Sequence, residues 1–239
     1  MTPAIDRRSL IKLGGMAAAA SALAPIGTAA AQTASPSVGK PMTYDIKPLP
    51  FDPKSIKGLS EKILVNHHDN NYAGAVKRLN AITEQLAGLD YAKAPVFIVN
   101  GLKREELIAA NSMILHELYF AGLGEESQPS GVLADTIARD FGSVDRWRAE
   151  FVAMGKAEGG GSGWVLLTWS PRDKRLINTW AADHTMTLAG GQPILALDMY
   201  EHAYHMDYGA KAGDYVDAFM KAIRWANAGQ LYEHYSRAA

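Results

Sequence analysis

The sequence predicts an α+β protein, an N-terminal helical hairpin domain followed by a C-terminal α/β domain with a small antiparallel three-stranded sheet. Three observations predict it. Apolar residues recur at three- and four-residue steps through two long segments of the N-terminal half. The glycine-rich "GGGSG" at 159–163 then breaks the helical rhythm. Beyond it come three short runs rich in β-branched and aromatic residues, "WVLLTWS", "RLINTWA" and "PILALD".

Taken in order, residues 1–31 stand apart. Arg7, Arg8 and Lys12 precede an Ala- and Gly-rich stretch that ends in small residues, the pattern of an export signal peptide cut after Ala31. Arg7-Arg8-Ser9-Leu10-Ile11 with Lys12 resembles a twin-arginine signal, which implies export to the periplasm of an already folded protein. Removing this segment leaves 21 basic and 24 acidic residues, a net charge of −3. That balance gives no reason to expect nucleic acid as a partner, and no later apolar run is long enough for a membrane span.

Residues 32–47 read as an extended lead-in, within a Pro-, Ser- and Lys-rich stretch that continues to 58. The N-terminal helical domain occupies 48–130. Its first helix is predicted from Leu59 to Leu86, with Ile63, His67, Ala75, Leu79, Ile82 and Leu86 on its apolar stripe. "GLDYAKAPVFIVNGLK" is expected as a loop, and a second helix from Arg104 to Phe120 carries Ile108, Ser112, His116 and Phe120 on one face. "GLGEESQPSG" is the boundary, and the C-terminal α+β domain occupies 131–239. There, a helical stretch over 132–158 precedes the strands, "PRDK" joins the first two as a hairpin, and helices are expected over about 199–206 and 213–226.

The chain has no cysteine. Disulfides, thiolate metal sites and cysteine nucleophiles are therefore excluded, and any metal must be held by imidazole, carboxylate or other oxygen donors. Of the seven histidines, His67 and His116 lie on apolar helix faces, and Asp198 ends an apolar strand four residues before His202. Buried imidazoles and a buried carboxylate need partners, and one metal ion would satisfy all four. Three imidazoles with one carboxylate suit iron, manganese or zinc better than calcium. On spacing alone, structural histidines with hydrogen-bond partners remain the alternative.

"DMYEHAYHMDYG" resembles the signature of the iron/manganese superoxide dismutases, written D-x-W-E-H-A-Y. The resemblance extends through "KPLPFDPKSIKGLSEKILVNHH", "AVKRLN", "ILHELYF" and "GSGW", and covers the chain from about residue 47 to its end. It implies one iron or manganese ion per subunit, held by His67, His116, Asp198 and His202, with solvent as a fifth ligand. His67 is preferred to His68 because Leu79 and Asn80 follow it at the family's distance of twelve and thirteen residues. It implies superoxide as substrate, converted to dioxygen and hydrogen peroxide by one-electron cycling of the metal, and zinc is disfavoured because it has no redox chemistry.

The positions around those ligands depart from the family. Where many members have a histidine and a tyrosine at the substrate gate, this chain has Asn71 and Ala75. Tyr72 is the nearest hydroxyl, and an α-helix would rotate it off the His67 face. With Ser112 at one usual glutamine position, His184 is the candidate to bond the metal-bound solvent. Trp164 is expected to line the pocket, Tyr200 replaces the motif tryptophan, and Lys211 offers a positive charge where the family's Arg-Pro is missing. The resemblance also implies a homodimer. Glu201 would bond His202 of the partner subunit, and Tyr204 would reach the gate across the interface. The altered gate motivates a second reading, a catalytically impaired relative that acts as a metal-binding or interaction protein. A metal-dependent hydrolase using the same ligands is a more distant third.

Overall fold

A computed structural model describes residues 40–238. The expected signal segment, residues 1–31, lies outside the described residues, so the structure says nothing of it.

The first predicted helix is built from three pieces: α1 (Glu61–Asn66), a π-helical turn (His67–Tyr72) and α2 (Ala73–Ala87). Ser60 starts it, its hydroxyl accepting from the Ile63 amide and so satisfying one of the free first-turn donors. Within the π turn the backbone is wider than an α-helix, and Asn70 Nδ2 donates to the Asn66 carbonyl at 3.0 Å. Single π turns inside helices recur at functional sites, and this one begins on a candidate ligand. Periodicity could not show it, because one added residue hardly disturbs an apolar stripe.

The second helix, α3 (Val96–Ala121), starts eight residues before the expected Arg104. Pro95 sits at its N-cap, where a missing amide hydrogen costs nothing. The "VFIV" run looked unlike helix because it is β-branched and aromatic, and Val96 and Phe97 are 84% and 72% exposed. Helices α2 and α3 form the hairpin, with Val76, Leu79, Ile82, Ala109 and Met113 buried along it.

In the C-terminal half the expected 132–158 helix divides into α4 (Gly131–Phe141) and α5 (Val144–Ala157) at Gly142, whose φ of +91° suits glycine. Strands β1 (Trp164–Ser170), β2 (Arg175–Ala181) and β3 (Gln192–Asp198) form an antiparallel sheet in the order β2-β1-β3. Central β1 is buried along its whole length, which explains its continuous apolar text. After β3 the expected 199–206 helix is broken into a 3₁₀ turn (Glu201–Ala203) and α6 (His205–Tyr208). The expected 213–226 helix ends early, as α7 (Ala212–Phe219), and α8 (Trp225–Arg237) follows it, a helix the sequence reading did not include. The boundary loop is tied to the α7–α8 connection by Arg224 N donating to Gly122 O and Gly124 N donating to Ala222 O. No described helix is long and apolar enough to cross a membrane.

Candidate metal centre

Three parts of the fold meet at one point. The π turn supplies His67, the inner face of α3 supplies His116, and the end of β3 with the turn after it supplies Asp198 and His202. One donor atom from each lies within 4.8 Å of all the others. His67, His116 and Asp198 are almost wholly buried, while the His202 side chain is 25% exposed.

Asp198 organises the group. Its Oδ1 accepts from the Tyr200 amide at 2.8 Å, and its backbone carbonyl accepts from the Tyr215 hydroxyl at 2.8 Å. The other oxygen, Oδ2, faces the Nε2 atoms of His67, His202 and His116 at 3.1, 3.2 and 3.6 Å. Burial alone would raise the Asp198 carboxyl, but His202 and His67 beside it outweigh burial and hold it well below the usual carboxylate range. Burial is also the main reason that His67 and His116 are shifted down, His116 to about 3. Neutral imidazole and ionised carboxylate are the forms in which these groups bind metals.

The histidine tautomer follows from a backbone contact. His116 Nδ1 donates to the Ser112 carbonyl at 2.6 Å, which turns Nε2, with its lone pair, toward the centre. Nε2 of His116 is buried and has no hydrogen-bond partner, and the buried Nε2 of His67 has only Asp198 Oδ2 beside it, at 3.1 Å and without hydrogen-bond geometry. Two orphaned buried nitrogens beside a carboxylate oxygen are costly in a protein interior. A cation among them relieves that cost, and nitrogen with oxygen donors suits a first-row transition metal. The residues present fit iron or manganese.

Aromatic side chains close the surroundings. The His67 ring packs edge-on against Phe120 at 5.0 Å and tilted against Tyr119 at 5.1 Å, and His116 packs edge-on against Trp164 at 5.3 Å. Trp164 opens β1 in register with Asp198 and is fully buried. Its Nε1 donates to His184 Nδ1 at 3.0 Å, so the proton of a neutral His184 is on Nε2. His184 is half buried, stacked on Tyr200 at 4.8 Å and 6.1 Å from the His116 ring, all measured between ring centroids. Burial again leads in lowering its pKa.

The remaining expected residues are spread more widely. Asn71 is half buried in the π turn, and Ala75 is buried in the core beyond it. Tyr72 is buried too, but its hydroxyl donates to Glu117 Oε1 and accepts from the Lys47 amide, both at 3.0 Å. It clamps the lead-in rather than facing the four donors, and the backbone that carries it is π rather than α. Tyr204 is buried, stacked 5.3 Å from Tyr215, while Glu201 and Lys211 are exposed. Sequence reasoning missed Tyr215 as the support of Asp198 and the Ser112 carbonyl as the support of His116. Tyr215 had an available signal, a tyrosine on the apolar face of a short amphipathic helix. A backbone carbonyl has none.

Comparison with known proteins agrees with this geometry. The family described as "Iron/manganese superoxide dismutases, C-terminal domain" matches residues 129–231. An iron superoxide dismutase of Cupriavidus metallidurans is 68% identical over 191 residues, spanning 80% of this chain and 97% of that protein. A manganese superoxide dismutase of Haloferax volcanii is 36% identical, with 80% and 96% covered. An iron superoxide dismutase of Aquifex pyrophilus is 33% identical, with 76% and 87% covered.

Proposed function

Because the chain belongs to the iron/manganese superoxide dismutases and is a superoxide dismutase that uses one of those metals, we propose that His67, His116, Asp198 and His202 hold the ion of each subunit. The observation that carries this assignment is the convergence of four donor atoms within 4.8 Å, two of them otherwise unpartnered. Iron or manganese bound there supplies a one-electron couple, which oxidises one superoxide to dioxygen and reduces the next to hydrogen peroxide.

The protein's own part is to hold donors, protons and approach. Asp198, kept ionised, and the buried neutral histidines offer their donor atoms without first losing protons. The Ser112 carbonyl and the Tyr215 hydroxyl hold His116 and Asp198 in place. His184, fixed by Trp164 with its proton on Nε2, is the group we assign to hydrogen-bond solvent at the centre. Asn71 lines the approach for superoxide where the family often has histidine. Iron is the first metal to test, since the Cupriavidus relative is named for it.

The protein acts as a homodimer, with Glu201 and Tyr204 at the interface, and is exported to the periplasm by the twin-arginine route. The exposed Glu201 beside His202, and Arg7-Arg8 in the first segment, support these two readings. The test is metal analysis of the purified protein together with superoxide consumption by iron-loaded and manganese-loaded forms. Activity with a stoichiometric redox metal is expected. Stoichiometric metal without consumption of superoxide would instead favour the impaired relative that Asn71 and Ala75 motivate. Wild-type metal content in Asp198→Ala would overturn the ligand assignment.

A further inference from the structure

Glu158 follows the last residue of α5 and is only 8% exposed, and neither of its carboxylate oxygens has a hydrogen-bond partner. It rests against Gly163, where an added Cβ would meet both Glu158 Oε2, at 2.5 Å, and the Ala181 carbonyl, at 2.4 Å. The carboxyl therefore takes up space that a side chain at residue 163 would need, with the Ala181 carbonyl bordering the same space. Gly163 O in turn accepts from the Met199 amide at 2.9 Å, one residue after Asp198.

No described cation forms an ion pair with Glu158: Lys211, at the N-cap of α7, is exposed, and neither carboxylate oxygen has a partner. Lys156 pairs with Asp217 of α7, Arg139 and Asp140 of α4 pair together, and Glu150 accepts from Asn178 of β2. Asp214 of α7 lines a surface hollow, and Asp183 beyond β2 is tied to Thr185. The charge that bears on Glu158 is that of Asp198, and it is of like sign. A buried carboxylate without donor or counter-ion is strongly disfavoured, whereas the neutral acid has an O–H to offer the Ala181 carbonyl. Burial first, and Asp198 second, push its carboxyl up to about 7.

We propose that Glu158 is a positioning residue that holds a proton according to the charge of the metal centre. It is protonated when the metal is reduced and releases its proton toward solvent when the metal is oxidised. The balance is one electron and one proton. Superoxide gives the electron and leaves as dioxygen, solvent gives the proton, and Glu158 passes from carboxylate to carboxylic acid. Each added positive charge among the four donors offsets the repulsion from Asp198, so oxidation favours the ionised form. This inference rests on those donors holding the metal, which metal analysis of the same sample checks separately.

The experiment is a reduced-minus-oxidised infrared difference spectrum of the metal-loaded protein near pH 7, with the midpoint potential measured across the neutral range. A carboxylic-acid C=O band should appear on reduction, shift in D₂O and vanish in Glu158→Gln, and the potential of Glu158→Gln should lose a bend near neutral pH. If wild type at full metal occupancy shows no such band, or Glu158→Gln shows the same band, the proposal fails. Should Glu158→Gln not fold, Glu158→Leu serves as the second variant, and labelling glutamate carboxyls with ¹³C in wild type decides the assignment.

Discussion

The four metal donors and the approach in front of them are built to different standards. Three of the four are held by named neighbours: Asp198 by the Tyr200 amide and by Tyr215 of α7, His116 by the Ser112 carbonyl one turn back on α3, and His67 by the rings of Tyr119 and Phe120. The gate positions that we assign are a half-buried Asn71 and a methyl group at Ala75 that is buried in the core. Neither residue titrates. Ligand geometry therefore has little freedom in this chain, and the chemistry of entry depends on few side chains.

Losing a donor should break this contrast most severely. Asp198→Ala or His116→Ala removes a ligand and leaves the others unpaired, so metal content and superoxide consumption should both fall by more than about 100-fold, beyond the effect of losing a supporting hydrogen bond. Metal analysis with cytochrome c competition measures both, and a variant keeping both would overturn the assignment.

A pH titration of metal-free protein separates the two regions without mutation. His67 and His116 have folded pKa values depressed below 6.5, that of His116 to about 3, so their contribution to stability is complete above 6.5 and is lost progressively as pH falls below it. The expected loss is a few kcal/mol, followed by thermal unfolding. A flat profile from pH 6.5 to 4 would refute the buried neutral state, while Asn71→Ala should leave the profile unchanged.

Trp164→Phe keeps an aromatic ring but removes the N–H that orients His184. The loss should lie between about 10- and 100-fold in activity or metal affinity. An unchanged rate would detach His184 from the centre. Asn71→Ala should do least, about 0.5 kcal/mol or roughly twofold in rate, as expected where no special contact is lost. A fall near 100-fold would instead make Asn71 a working proton or substrate gate and erase the contrast.

Much of this arrangement was legible in the chain. The histidines on apolar stripes and the carboxylate at a strand end follow from periodicity, because the side chains of a regular element repeat at known angles. The runs "WVLLTWS" and "RLINTWA" became strands at their expected positions. Where the chain departs from regularity, the text misled. "VFIV" joined α3 because a long helix can extend past the core with exposed apolar residues, and the π turn left the stripe of Ile63, His67 and Leu79 intact.

By itself, then, the sequence determined the donor types, the absence of thiol chemistry and the order of helices and strands, since these depend on residue identity and local period. Only the tertiary structure decided which nitrogen of His116 faces inward, that Trp164 holds His184, that Tyr72 clamps the lead-in, and that Glu158 is enclosed without a partner. The physical reason is shared by all four. Each depends on a contact between residues on different turns or elements, often with a backbone carbonyl that looks the same at every position of the sequence.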